Sequence, residues 1–203
     1  MDPSTNRRGW AKRMGKFSPA FYAEVGPNKV SNSLVTLLDQ YSTEAAAILE
    51  LGYGSGRHLS HLHEHGYEDL TGVDINEEAL AVVADAYPLL AEAGSFHQKA
   101  IEAFVPEVAD NAFDVVYSVE TLQHIHPDEK WVFDELVRIT DSLLVTIESE
   151  GEDTDDSVQF IDGEFPLYVR NWKDVFTDRG LTQLLSHQST PDTIRAFEIP
   201  DSH

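Results

Sequence analysis

Residues 45–56, AAAILELGYGSG, constrain this chain more than any other stretch. A short apolar run ends in Glu50, and glycines follow at Gly52, Gly54 and Gly56. Such a run, bounded by glycines and followed by helical spacing, predicts a buried parallel strand turning into a helix. Glycine suits the turn because it accepts positive φ and, lacking a Cβ, lets a ligand lie against the backbone. The turn also aims free N–H groups and a helix N-terminus at whatever sits there. By itself this points only to some nucleotide-like ligand.

The next strand narrows the choice. Residues 69–75, DLTGVDI, form a second β pattern that carries Asp74, 20 residues beyond Gly54. One strand–helix–strand step fits that distance and places Asp74 at the carboxyl edge beside the glycine turn. There its carboxylate can accept hydrogen bonds from both hydroxyls of an unphosphorylated ribose. The alternative role is a helix N-cap, since NEEAL follows. Asn76 can fill that role and leave Asp74 to the ligand.

Glu50-Leu51-Gly52-Tyr53-Gly54-Ser55-Gly56 resembles the first motif of the class I S-adenosylmethionine (AdoMet)-dependent methyltransferases, E/D-x-G-x-G-x-G. Dinucleotide-binding proteins more often read G-x-G-x-x-G. The resemblance continues through FDVVYSVETLQHIHP (113–127), which is similar to that family's fourth strand and following loop, and it is close over roughly 45–150. It implies a Rossmann-like α/β fold, a seven-stranded, mostly parallel sheet flanked by helices with a C-terminal antiparallel hairpin. It also implies AdoMet as cofactor, held by Glu50, Gly52, Tyr53, Gly54, Gly56 and Asp74. Ile75 would cover one adenine face, and Ala100, Ile101 and Glu102, in the loop after strand three, would line the other. Ile101 is equally suited to ordinary core. Ser118 and Val119 would pass the methionine part.

In the same family the loop after strand four leads to the acceptor, and many relatives read Leu-x-His-Ile where this chain has Leu122-Gln123-His124-Ile125. His124 is therefore the first candidate on the acceptor side, as a base, an orienting group or a structural histidine. Glu120 is the second candidate and His126 the third. Arg170, Tyr168 and Trp172 are further acceptor-recognition candidates, Trp172 being the best suited to core.

Composition sets the remaining bounds. At 203 residues and 41% hydrophobic, the chain is expected to be one class I domain. Residues 1–41 would be a helical or lid segment, and 42–203 the AdoMet-binding core with an acceptor-side segment at about 150–175. Without cysteine, disulfides, Cys-ligated zinc and iron–sulfur chemistry are excluded. No apolar run reaches membrane-spanning length and the N-terminus does not read as a signal peptide, so the cytoplasm is the expected location and no membrane partner is expected. His58, His61 and His65 fall on one helix, but no acidic third ligand accompanies them, so no metal is expected.

The net charge is −22, with 36 acids against 14 bases. Such a chain repels nucleic acid, which leaves a small-molecule acceptor, anionic or sugar-like, as the expected partner for O- or N-methylation. The acids are spread along the whole sequence, in the manner of proteins adapted to molar salt. Five of the bases, Arg7, Arg8, Lys12, Arg13 and Lys16, fall in the first sixteen residues together with Trp10. They suit either an arm docked on an acidic body or a lid over the site.

Apolar periodicity predicts a helix at 28–41, a helix from Gly56 to Gly66, a helix at 77–87, strands at 95–100 and 112–119, a helix at 128–140 and a strand at 142–149. GEDTDD (151–156) begins a linking segment to a helix at 170–179, and strands at 181–189 and 193–199 form a hairpin. Two rival functions share the glycine turn: a nicotinamide-dependent oxidoreductase and a non-catalytic AdoMet-binding protein. The spacing of the glycines, the hairpin and the lack of a Tyr-x-x-x-Lys pair argue against the first.

Overall fold

Each strand of the central sheet sends alternate side chains to opposite faces, and two hydrophobic layers result. The computed structural model describes residues 2–151, 157–161, 163, 165–189 and 191–200. In β1 (Ile48–Leu51), Ile48 joins Leu34, Leu38 and Leu59 on one side, while Leu49 and Leu51 join Phe133, Leu136, Trp172 and Phe176 on the other. Burying a side chain of this size contributes about 1.5–3 kcal/mol, so both layers hold the sheet.

The chain opens with α1 (Pro3–Ala11), α2 (Pro19–Val25) and α3 (Lys29–Tyr41) ahead of β1. Asn28 caps α3 through a capping box with Ser31, which explains where that helix begins. After β1 come α4 (Arg57–Glu64), β2 (Leu70–Asp74), α5 (Ala79–Ala86), α6 (Pro88–Ala93), β3 (Ser95–Gln98), α7 (Ile101–Phe104) and β4 (Phe113–Val119). Next are α8 (Trp131–Ile139), β5 (Thr140–Glu148), β6 (Ser157–Ile161), β7 (Phe165–Val169), α9 (Trp172–Thr177), β8 (Thr182–Ser189) and β9 (Asp192–Glu198). Among the described residues, no helix is long and apolar enough to cross a membrane.

The seven-stranded sheet has the order β3-β2-β1-β4-β5-β9-β8. β1 to β5 run parallel, and β9 pairs antiparallel with both β5 and β8. The expected fold class and closing hairpin are therefore present. Strand order reverses between β1 and β4, opening a crevice at their carboxyl ends, where open α/β sheets bind ligands.

Two local expectations need correction. The helix expected at 77–87 ends at Ala86, and Pro88 opens a second helix, α6, because proline at the first helical position loses no hydrogen bond. The segment expected to link to α9 instead contains an antiparallel ribbon, β6 paired with β7. Residues 152–156 of the acidic stretch lie outside the described residues.

Candidate functional site

The carboxyl ends of β1, β2 and β4 floor a single cavity whose opposite wall is the N-terminal segment. Gly52 and Gly54 take φ of 71° and 51°, conformations that glycine adopts without strain. A side chain at Gly52 would overlap Thr121, whereas a Cβ at Gly54 would meet nothing closer than the Gly52 carbonyl, at 4.0 Å. The chain thus leaves bare backbone facing the cavity at Gly54.

Asp74, at the end of β2, fixes this turn. One carboxylate oxygen accepts the Gly54 N–H at 2.8 Å and the other accepts the Asn76 N–H at 2.7 Å. Asn76 in turn accepts the Glu78 N–H at 2.9 Å, so it ties down the start of α5 and Asp74 remains on the cavity wall. Burial raises the Asp74 pKa, and the two N–H bonds offset that only partly.

Glu50 is 1% exposed, and burial pushes its carboxyl well above the ordinary range despite the opposing influence of Tyr117 and Arg57. Its Oε2 has no hydrogen-bond partner, nor do Asn6 Oδ1, Trp10 Nε1 and Ser55 Oγ, all from residues of the same cavity. Buried polar atoms left unpaired cost free energy, and their convergence on one space suits a polar ligand rather than an apolar core.

Ile75, Ala100, Ile101, Glu102 and Val119 also line the cavity. Glu102 is engaged by Arg7 at 3.2 Å, and the same guanidinium reaches Glu129 at 2.6 Å. Tyr53 borders the cavity, but its ring is buried in the core below, edge-on to Phe96 and against Gly72.

Two residues expected on the cofactor wall lie elsewhere. Ser118 is fully buried and donates its hydroxyl to Glu148 at 2.7 Å, because β4 turns that side chain toward β5. Gly56 packs toward Val83 of α5, where a Cβ would come within 2.8 Å. Neither residue lines the cavity.

Glu148 organises the acceptor-side loop. Besides Ser118, its carboxylate accepts the backbone N–H groups of Thr121 at 3.1 Å and Leu122 at 3.0 Å. Burial lifts its pKa to about 7, against these bonds. Held this way, the loop turns sharply at Glu120, a non-glycine residue with φ of 49°. Strained backbone of this kind persists where the surroundings enforce it. The Glu120 side chain lines the cavity, and burial and Asp192 raise its pKa while Arg57 opposes them.

His124 lines the cavity as well, fixed by three contacts. Its ring lies against Trp10, its carbonyl accepts from Asn6 Nδ2 at 3.1 Å, and its Nδ1 meets the Pro166 carbonyl at 3.3 Å. A carbonyl only accepts, so Nδ1 carries the proton and Nε2 presents a lone pair. Burial drops the His124 pKa to about 4, with Arg170 adding to the shift. A neutral imidazole of that pKa accepts a hydrogen bond but is a poor proton acceptor at neutral pH.

The other acceptor candidates are structural. Arg170 is 3% exposed and donates to the carbonyls of Leu122 at 3.2 Å and Ile125 at 2.6 Å, bracing the loop from behind. Tyr168 is buried against His126, which caps a 3₁₀ turn at Asp128, and Trp172 sits in the core. None of these four lines the cavity. Asn6, Tyr22, Arg57 and Gln123, which sequence reasoning passed over, line it instead, together with His58, which it weighed only as a metal ligand. Arg57 directly follows the glycine turn, and that adjacency was the available signal.

From the basic N-terminal segment, Asn6, Arg7, Trp10, Arg13 and Phe17 line the cavity. Asn76 Nδ2 donates to the carbonyls of Trp10 at 3.0 Å and Arg13 at 3.1 Å, and Arg13 stacks on Phe165 of β7. Arg7 works as a tether to two acids, while Arg13 and Trp10 work through ring contacts.

Residues 49–142 match the family model described as a methyltransferase domain. Among solved structures, the chain resembles the 1,6-didemethyltoxoflavin-N1-methyltransferase of Burkholderia thailandensis with a TM-score of 0.68 and 16% identity, covering 85% of this chain and 78% of that one. That structure holds 1,6-didemethyltoxoflavin and S-adenosylhomocysteine (AdoHcy). An AdoMet-dependent methyltransferase from Methanosarcina mazei aligns with a TM-score of 0.66 and 18% identity over 80% and 96% of the two chains. A chain of the Haloferax volcanii complex between the Trm112 methyltransferase activator and a candidate methyltransferase aligns with a TM-score of 0.69 and 14% identity over 91% and 95%. A search of curated proteins finds no significant match. Residues 49–142 thus match a methyltransferase domain, and the sheet order is the one expected for the class I methyltransferase fold.

Proposed function

We propose that this chain methylates a small-molecule acceptor at oxygen or nitrogen, with the acceptor held between α1 and the loop after β4. The observation that carries the reading is the continuity of one cavity, from Gly54 and Asp74 at one end to Glu120 and His124 at the other, closed over by α1. That enclosure suits a small molecule better than a polymer. The net charge of −22 argues further against nucleic acid.

When bound, AdoMet supplies an electrophilic methyl group on a sulfonium. Asp74 is placed to accept from ribose hydroxyls, and Ile75 and Ile101 to sandwich the adenine. His124 Nε2 orients an acceptor hydroxyl or amine as a hydrogen-bond acceptor. Glu120, whose raised pKa brings it nearer neutrality, is the better group to take the acceptor's proton. Trp10 and Phe17 exclude water from the site.

Residues 1–41 then serve as the cover and the rest as the binding core, with an acceptor that is anionic or sugar-like. The acidic surface suits a salt-rich cell interior. The test is calorimetric titration with AdoHcy, followed by transfer from labelled AdoMet to a panel of hydroxy and amino compounds at several KCl concentrations. A folded protein that binds NAD but not AdoHcy would transfer the reading to an oxidoreductase. AdoHcy binding with no product from any small acceptor would leave a binding protein.

A further inference from the structure

Arg57 is the first residue of α4 and is 8% exposed, on the wall of the cavity. A cation at that place is doubly unfavourable. The N-terminus of a helix carries partial positive charge, and a buried guanidinium loses its hydration.

What holds Arg57 leaves its binding fork open. Its Nε donates to His58 Nε2 at 3.3 Å, so that nitrogen is unprotonated and His58 Nδ1 carries the hydrogen, which it gives to Ser31 Oγ at 2.9 Å. Ser31 also caps α3, accepting the Asn28 N–H at 3.0 Å, so the relay is anchored to the fold. The Tyr22 ring lies 4.5 Å from the guanidinium carbon and fixes its plane. Neither Nη of Arg57 meets a hydrogen-bond acceptor among the described residues. Glu50 and Glu120 act on Arg57 electrostatically without forming an ion pair with it.

We propose that Arg57 is the carboxylate receptor of the cavity, its two Nη groups taking both oxygens of one ligand carboxylate. A planar fork with two free donors matches a carboxylate bidentately, and such bonds are the strong ones. The proposal rests on the methyltransferase reading, under which two molecules can present the group: AdoMet through its methionyl carboxylate, or an acceptor that is itself a carboxylic acid. His58 is a positioning residue, orienting the fork through Nε.

Calorimetry on Arg57→Lys and Arg57→Gln separates the sources. Three probes are titrated at fixed ionic strength: AdoHcy, 5′-methylthioadenosine, which keeps the adenosine and thioether but has no carboxylate, and benzoate added to AdoHcy-saturated protein. Arg57→Gln is expected to weaken one carboxylate-bearing probe 10- to 100-fold and leave methylthioadenosine unchanged. Arg57→Lys, which keeps the charge but loses the fork, should recover only part of the loss. A loss on AdoHcy assigns Arg57 to the cofactor, and a loss on benzoate alone assigns it to the acceptor. Unchanged binding of both overturns the proposal, as does an equal loss on methylthioadenosine, which would show a general collapse of the cavity. Wild-type protein that binds neither AdoHcy nor methylthioadenosine defeats the underlying function and the cofactor arm together. Benzoate titrated into that same protein still decides the acceptor arm.

Discussion

The indole of Trp10 rests on the imidazole of His124, with ring centroids 4.4 Å apart. These residues are 114 positions apart, and their contact joins the N-terminal helix to the loop that faces the acceptor. The same indole meets Phe165 at 4.9 Å, so one side chain fastens α1 to two neighbours. Such ring pairs add roughly 0.5–1.5 kcal/mol each beyond the area they bury.

Trp10→Ala should therefore loosen the cover more than the fold. Hydrogen exchange should speed up in residues 3–11 and stay unchanged in the central sheet. Acceptor kcat/KM is expected to drop about tenfold, equivalent to about 1.4 kcal/mol. Unaltered exchange and turnover would show that α1 only rests on the surface.

Asp74→Ala removes the acceptor of the Gly54 and Asn76 N–H groups as well as the expected ribose contact. AdoHcy affinity should decrease by about 1.5–3 kcal/mol, the size of charge-assisted hydrogen bonds. Asp74→Asn keeps one acceptor oxygen and should lose less. A folded Asp74→Ala protein with wild-type affinity would remove Asp74 from the site.

Stability against pH follows from two opposed shifts. Glu148 has a folded pKa of about 7, above the 4.5 of the free side chain, so the folded state binds the proton more readily. Its contribution is fully present below about 4.5 and is lost as pH rises through about 7. His58 and His124 have folded values of about 3 and about 4, below the ordinary 6.5, so stability is lost as pH falls below 6.5. The two windows overlap: as pH rises from about 4.5 to about 6.5 the two histidines add stability while Glu148 removes part of it, and from about 6.5 to about 7 the Glu148 loss remains. Glu148→Gln should steepen the rise in melting temperature with pH between about 4.5 and 6.5 while lowering overall stability, since an amide cannot receive the Thr121 and Leu122 N–H groups as well as a carboxylate does. An unchanged slope between about pH 4.5 and 7 in that variant would show that Glu148 does not titrate there.

The fold was legible because its signals are local. Gly52 and Gly54 mark a turn by their own conformational freedom, and the Ile48–Leu51 run has nowhere to go but a buried strand. Asp74 was placed correctly by one strand–helix–strand step. What failed needed long-range contacts. Arg170 reads as a binding base in an acidic chain, yet its guanidinium is used to brace the carbonyls of Leu122 and Ile125, 48 and 45 residues away. Ser118 alternates toward Glu148 on β5, a partner that strand pairing alone defines. Arg57 went unnoticed for the opposite reason: a base beside a glycine turn reads as solvated until burial shows otherwise.

The charge map yields the last prediction. Acids exceed bases by 36 to 14, so the folded chain carries dense negative charge at neutral pH. Repulsion among exposed charges is long-ranged in dilute buffer and is cut off as the Debye length shrinks from about 10 Å at 0.1 M to about 3 Å at 1 M salt. Melting temperature should accordingly climb steeply with KCl up to about 1 M. Screening is nearly complete by then, so a further rise in molar KCl requires cations held at the acidic surface or stronger burial of apolar groups. Potassium chloride and sodium sulfate at matched ionic strength separate these causes. Equal curves up to about 1 M identify screening, and a higher curve in sulfate above that identifies the hydrophobic contribution. The partly buried Arg7 bridges to Glu102 and Glu129 respond in the opposite sense, since screening weakens ion pairs, though less than it would at a fully exposed site. Salt should therefore stabilise the core while loosening the cover, and exchange in α1 should rise over the range in which the global melting temperature climbs. A melting temperature that stays flat or falls with KCl would contradict adaptation to high salt.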